Sequence, residues 1–208
     1  MFFKLLEKIT YIYRRFVTVV IYKPFFNSLG SKTIIYTPLK IVNTKRIDIG
    51  SNVTIEKYST LYSVGEYNKK IYNGKIKIGN NVYINNNCNI TSSNNINIKD
   101  NVVIAFNVSF FDFNHDYTNI TIPVKFSKLD VLGEIIISEN CWIGMNVSIV
   151  GNVHLGMHCI VGANSVVTKS FPAYSVIVGN PARVIKRYDI EKQIWRKTNK
   201  EGAFLNEI

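Results

Sequence analysis

Aliphatic residues recur at every sixth position through the second half of the chain: Ile137, Ile143, Ile149, Leu155, Val161 and Val167. Four residues after each stands a small or β-branched one, Cys141, Val147, Val153, Cys159 and Ser165, with Phe171 as the one bulky exception. Gly144, Gly156 and Gly162 directly follow three of the aliphatics, where a tight turn calls for a residue tolerant of unusual backbone angles. A period of six fits neither the 3.6-residue turn of a helix nor an open-ended strand alternation. It predicts a short strand plus a turn, three of which close one triangular coil. Such coils stack into an all-β solenoid, a parallel β-helix whose neighbouring turns bury a shared core.

The first half carries the same beat with interruptions. One coil reads Ile49, Ile55, Leu61; the next Ile78, Ile84, Ile90; the third Ile98, Ile104, Phe110. The steps from 61 to 78, 90 to 98 and 110 to 137 replace a step of six and so insert 11, 2 and 21 residues. With about five coils in this register, all three insertions follow the third strand of a coil and leave the prism at one corner. The longest, about residues 111–134, contains His115. Long loops on a rigid scaffold are where binding and chemistry concentrate.

The ends of the chain read differently. Phe2, Leu5, Leu6, Ile9, Ile12, Tyr13, Phe16 and Val20 recur at helical spacing until Pro24, with Lys4, Lys8, Arg14 and Arg15 between them. The stretch is too short to cross a bilayer, which needs roughly 20 apolar residues. It also has no small-residue cleavage site of a secretion signal. Residues 1–22 are then either a helix packed on the open end of the solenoid or one lying on a membrane surface. Residues 189–196 predict a short helix with Ile190, Ile194 and Trp195 as its apolar face. The organisation is thus a helical or extended cap at 1–46, the solenoid at 47–180 and a tail with a short helix at 181–208.

Composition changes the picture little. A length of 208 residues suits one domain, and three cysteines without a secretion signal fit a cytosolic chain. Cys88, Cys141 and Cys159 all fall on the small inward position, as buried thiols or, for the stacked pair 141 and 159, a disulfide or metal pair. The net charge of +11 suits an anionic partner or reflects a chain heavy in Ile, Asn, Lys and Tyr. No nucleic-acid-binding motif is present, so no nucleic acid is expected as a partner.

Several segments resemble the left-handed β-helix, hexapeptide-repeat acetyltransferases. They are the beat itself, Cys141-Trp142-Ile143-Gly144, the run from Val161 to Lys169, and the tail from Gly179 to Lys186. Within that family the galactoside and maltose enzymes and the capsular-polysaccharide and O-antigen O-acetyltransferases are most similar, over residues 47–188. The left hand of the coil comes from this resemblance alone, because the general rule for parallel crossovers gives the right hand. The resemblance implies acetyl-CoA as donor, no metal, a carbohydrate acceptor and a homotrimer with sites between subunits. The residues themselves suggest a cytoplasmic location, at the inner face of the membrane where residues 1–22 form a peripheral contact.

It also implies roles for residues. His115, in Phe113-Asn114-His115-Asp116-Tyr117, matches the catalytic histidine, and imidazole chemistry fits the task of taking a proton from a sugar hydroxyl. Asn85 and Ser93 match acceptor-binding positions; Ser93 stands where the galactoside enzyme has an acidic residue, which speaks against a simple galactoside. Met145, Ala163, Thr168, Lys169, Arg183 and Lys186 match coenzyme A contacts, with the cations suited to its phosphates. His154 and His158 flank inward residues and should point outward. Two alternatives stay open. One is a γ-type carbonic anhydrase, which needs three histidines on zinc, the number this chain has in total. The other is a non-catalytic β-helix that binds or scaffolds.

Overall fold

The computed structural model describes residues 2–205; Met1, residues 206–208 and the side chains of Phe2, Phe3 and Glu7 lie outside the described part. Three parallel sheets form the faces of a prism, here A, B and C in the order the chain visits them. Faces A and C each stack six strands; face B stacks seven parallel strands and then two antiparallel ones. The rungs are 28–42, 47–63, 76–92, 95–111, 134–150 and 153–167, each with one strand per face. The first rung pairs in register on the second, with Leu29 beside Ile49, Ile35 beside Ile55 and Ile41 beside Leu61. It makes the stack one rung deeper than the about five coils expected. Its beat of six is present at 29, 35 and 41 and is broken by two residues before 49.

The core is the beat itself. Ile137, Ile143, Ile149, Leu155, Val161 and Val167 are all buried, and so are their small partners Cys141, Val147, Val153, Cys159 and Ser165. All three cysteines are buried free thiols. The Cys141 thiol donates to the Gly156 carbonyl at 3.3 Å and that of Cys159 to Pro172 at 3.2 Å. Burial pushes the Cys88 thiol up to about 11, and the neighbouring Cys159 together with burial pushes Cys141 up too. Cys141 and Cys159 are packed in the core as small apolar groups, each thiol directed at a backbone carbonyl.

The glycines do something other than expected. Gly144, Gly156 and Gly162 are not among the positive-φ residues. A Cβ on Gly144 would sit 2.7 Å from the Val161 carbonyl, and one on Gly156 would collide with the Ala173 backbone. Gly144 and Gly156 are needed because the backbone of the next rung passes too close for a side chain, while at Gly162 a Cβ would meet the Val178 methyl. The left-handed turn residue comes two positions later and is mostly asparagine: Asn52, Asn81, Asn101 and Asn140 at the A–B corner, Asn87, Asn107, Asn146 and Asn164 at the B–C corner. Asparagine tolerates this backbone, and here its amides also bond from rung to rung. Asn146 accepts from Asn107 at 3.1 Å and donates to Asn164 at 2.9 Å. Asn146→Val, with a branched side chain at φ +56, is expected to destabilise by about 2–3 kcal/mol, whereas Asn146→Gly loses only the bonds. Urea unfolding of the two variants measures the difference.

At the amino end, the helix Phe2–Phe16 runs into a wider π-helical turn, Val17–Tyr22. The turn closes the open end of the solenoid, and the helix approaches the first rung beside it. Val17, Thr18 and Phe26 are buried, and the Thr18 hydroxyl accepts the Ile35 amide at 3.0 Å while donating to the Arg14 carbonyl at 2.8 Å. At the other end the short helix expected at 189–196 is absent. Strands Arg183–Asp189 and Ile194–Lys197 form a hairpin that extends face B. Asp189 decides it: its carboxylate accepts the amides of Glu191 and Lys192 across the turn and Arg196 at 2.8 Å. Arg196 first, then the Lys192 amide, holds that carboxyl below the usual carboxylate range. The apolar residues spaced for a helix face are instead distributed over the hairpin, with Trp195 stacked edge-on against Tyr188 at 5.5 Å.

Candidate active site at two edges of one face

All three insertions leave at the C–A corner, as the register required, and side chains lace them together. The first holds a tight hairpin, Glu66–Tyr67 against Lys70–Ile71, turned by Asn68 and Lys69, both at positive φ. The third is a longer hairpin, Phe113–His115 against Leu129–Val131. Tyr72 joins them: its hydroxyl accepts the Leu129 amide at 2.8 Å and donates to the Leu129 carbonyl at 3.2 Å. Val64, Tyr72 and Leu129 are buried together as a second small core under Tyr62, Tyr67 and Phe113. Asn68 donates to the carbonyls of Lys125 and Ser127, and Tyr67 to that of Lys125, so the short hairpin clamps the tip of the long one.

The second insertion is Ser93-Asn94, and it is tied to the root of the third. Asp112 is fully buried. One carboxylate oxygen accepts the Ser93 amide at 2.7 Å and its hydroxyl at 3.2 Å. The other accepts the Ser92 hydroxyl at 2.6 Å and the Asn94 amide at 3.1 Å. Sequence reading passed over Asp112; the available signal was a lone acid where a strand gives way to a loop. Ser93, aligned with an acceptor position, is itself buried and has both its amide and hydroxyl engaged by Asp112.

His115 sits exposed on the long hairpin, paired through its backbone with Leu129, its ring edge-on to Tyr67 at 5.3 Å. Beside it, Asp116 accepts the Thr118 hydroxyl at 2.6 Å and lies 3.6 Å from Lys128; chiefly Thr118, and then Lys128, holds its carboxyl below the usual range. The path from Tyr72 through Leu129 to His115 makes the imidazole's position depend on one tyrosine hydroxyl. Tyr72→Phe leaves the Leu129 amide and carbonyl without that partner, at about 1–3 kcal/mol locally. The expected result is a loosened hairpin and about tenfold lower turnover, read as faster hydrogen exchange at 113–131 with an unchanged solenoid.

The remaining predicted residues divide between two edges of face C. Thr168 and Lys169 follow the last strand of that face, so they share the C–A corner with Ser93 and the root of the His115 hairpin. Asn85, Met145 and Ala163 lie on the B–C corner instead, Met145 and Ala163 one rung apart. Asn85 caps its own turn by accepting the Asn86 amide at 2.8 Å. Within one chain, face C separates the two groups. Arg183 and Lys186 lie on the first strand of the C-terminal hairpin, and Lys186 is exposed.

A concavity of about 140 Å3 joins Lys169 to Arg187 and Lys200, with Glu201 also in its lining; Arg187 and Lys200 are cations that the sequence pattern does not single out, because the tail closes on Lys169 only in the fold. A larger hollow of about 370 Å3 lies along the A–B edge between Asp48, Lys77 and Asp100 and touches none of the predicted residues. His154 and His158 point outward as expected; His154 bonds Ser138 at 3.1 Å, and His158 stacks near Tyr174 and Trp195. Neither is beside His115, and among the described residues no group of three or more His, Cys, Asp or Glu is placed to hold a metal.

Residues 134–169 match the family model described as bacterial transferase hexapeptide, six repeats. An Escherichia coli K12 protein that carries the name lipopolysaccharide biosynthesis O-acetyl transferase WbbJ is 32% identical over 79% of this chain and 83% of its own length. The chain belongs to the hexapeptide-repeat acetyltransferases. Among solved structures, this acetyltransferase is similar to AntD, an N-acyltransferase from Bacillus cereus in complex with dTDP and coenzyme A. The TM-score is 0.67 at 25% identity, covering 82% of this chain and 88% of that one. A Vibrio cholerae hexapeptide-repeat acetyltransferase complexed with acetyl coenzyme A shares the fold, with a TM-score of 0.57 at 20% identity, over 86% of each chain. With the family goes the left-handed parallel β-helix. The hexapeptide acetyltransferase described here wears its beat most cleanly in the matched segment, where no insertion interrupts it.

Proposed function

We propose that the protein moves an acetyl group from acetyl-CoA to a sugar hydroxyl of a bacterial capsular or surface polysaccharide, or of its lipid- or nucleotide-linked precursor. The observation that carries the reading is His115, an exposed imidazole on a hairpin fixed at its root by Asp112 and along its length by Tyr72. The donor supplies an activated acyl carbon. His115 accepts the proton of the attacking hydroxyl as the new C–O bond forms, and returns it to the departing thiolate as the C–S bond breaks. Both ends of the reaction are thereby balanced by one group.

Lys169, Arg187 and Lys200 around their concavity, with Arg183 and Lys186 on the adjoining hairpin, fit the phosphates of the donor. Ala163 and Met145 fit its pantetheine arm along the B–C edge, where the turn backbone is close to the surface. Asn85 belongs to the acceptor on this reading, and Ser93 acts on it at one remove, by holding Asp112. WbbJ, named for lipopolysaccharide biosynthesis, and AntD, bound to dTDP, support a glycan or nucleotide-sugar acceptor.

Because the two groups stand on different edges, the complete site joins edges of neighbouring copies in a homotrimer. Tyr83, Val103 and Trp142, stacked and exposed on face B, offer an apolar strip for that contact. A monomeric mass in solution would remove this arrangement. The reaction itself is tested by acetyl-CoA consumption with a panel of nucleotide-linked and oligomeric sugars, followed by mass spectrometry of the product. Addition to a hydroxyl is expected. Addition only to an amino sugar would make the protein an N-acyltransferase, and no consumption with any acceptor would sink the reading.

A further inference from the structure

The N-terminal helix is docked the wrong way round for a packed helix. Its contacts with the solenoid come from the side that carries Tyr11, the half-buried Arg14 and the buried Thr18. Thr18 bonds Ile35, and Tyr11 and Arg14 lie within electrostatic reach of the Tyr36 hydroxyl, beside the strand Ile34–Ile35 that the helix approaches. The opposite side carries the apolar stripe. Leu5, Ile9, Ile12 and Phe16 recur at intervals of four, three and four, and each is 56–59% exposed. Tyr13 and Val20 continue the stripe at 57% and 53%. Stripes of this kind ordinarily face a core. Here the core is already closed by the π-helical turn, and among the described residues nothing covers the stripe.

Charge indicates what does. Through residue 25 the sequence sets Lys4, Lys8, Arg14, Arg15 and Lys23 against the single acid Glu7. Lys4, Lys8 and Arg15 fall on adjacent positions of the helical wheel, along one border of the apolar stripe. An apolar face bordered by cations matches an anionic lipid surface, with the stripe in the acyl boundary and the cations at the headgroups. The helix has 15 residues, about 22 Å at its usual rise. That is short of a bilayer core of roughly 30 Å, and among the described residues no helix is long and apolar enough to cross a membrane. With Lys4, Lys8, Arg14 and Arg15 along it, the helix is suited to lie on the membrane.

We propose that the helix Phe2–Phe16 is an in-plane membrane anchor that seats the protein on an anionic bilayer surface through Leu5, Ile9, Ile12 and Phe16. This rests on the helix alone and is independent of the acyl-transfer reading. The Thr18 anchor fixes the helix to the first rung, so docking also sets the orientation of the prism against the bilayer.

The test is flotation of the full chain with vesicles of phosphatidylcholine alone or mixed with phosphatidylglycerol. The wild type is expected to float with the anionic vesicles and to be released in high salt. A double variant, Ile9→Asp with Phe16→Asp, is expected to lose flotation while keeping its melting temperature and solution mass. A second variant, Lys4→Glu, Lys8→Glu and Arg15→Glu, is expected to bind anionic vesicles at least about tenfold more weakly, since each cation near such a surface contributes on the order of 1 kcal/mol. Failure of the wild type to float overturns the proposal. So does a change of solution mass in the aspartate variant, which would make the stripe a contact between copies.

Discussion

Acetyl transfer should fall about 10²–10⁴-fold when His115 is replaced by alanine, the range a positioned general base supplies. The same substitution should change the unfolding free energy by no more than about 0.5 kcal/mol. The contrast follows from where the residue sits. Its backbone is held by pairing with Leu129, and its ring is exposed, touching Tyr67 only edge-on. Removing the imidazole therefore leaves the hairpin and the clamp from Tyr72 in place. If turnover falls with KM for acetyl-CoA unchanged, the lost group acted in the chemical step rather than in donor binding. Full activity in the alanine variant would falsify the role of His115 as the base.

A larger structural effect is expected at Asp112. Two backbone amides, those of Ser93 and Asn94, point at different oxygens of this buried carboxylate. Asp112→Asn keeps the shape but replaces one acceptor with a donor. The Ser92 and Ser93 hydroxyls can rotate to suit it, but one of the two amides cannot. Leaving a buried amide unpaired costs about 1–3 kcal/mol, and Asp112→Ala, which orphans both amides, costs more. Because this residue is the root of the hairpin that carries His115, activity should fall together with stability. The two variants should also rank alike in a urea melt and in turnover. A fully active, fully stable Asp112→Ala protein would show that the corner is held by the solenoid alone.

Much of this was legible along the chain because a period of six leaves few options. An aliphatic at every sixth position can be buried only if the chain turns after each short strand, and three such turns bring it back above itself. The same logic located the insertions at one corner from spacing alone, 61 to 78, 90 to 98 and 110 to 137. The rung at 28–42 escaped because its single run at 29, 35 and 41 is cut off from the rest by an irregular step of eight to 49. The C-terminal hairpin escaped because Ile190, Ile194 and Trp195 carry a helical spacing, while the competing signal is a single carboxylate. Asp189 caps the turn and meets Arg196 across the strands, a contact that exists only once the hairpin has formed.

The scaffold, the inward residues and the corner from which His115 emerges are written in the linear chain, since these follow from periodicity and the geometry of a short strand. How that corner is made rigid depends on contacts that form only in the fold. The fold bonded Asp112 to the second insertion, and it drew Tyr72 across to Leu129 over 57 residues of chain. It also divided the candidate site between two edges of one face and turned the apolar side of the N-terminal helix away from the core. Each of these depends on side chains brought together by stacking rungs, and local sequence carries no record of which rung lies against which.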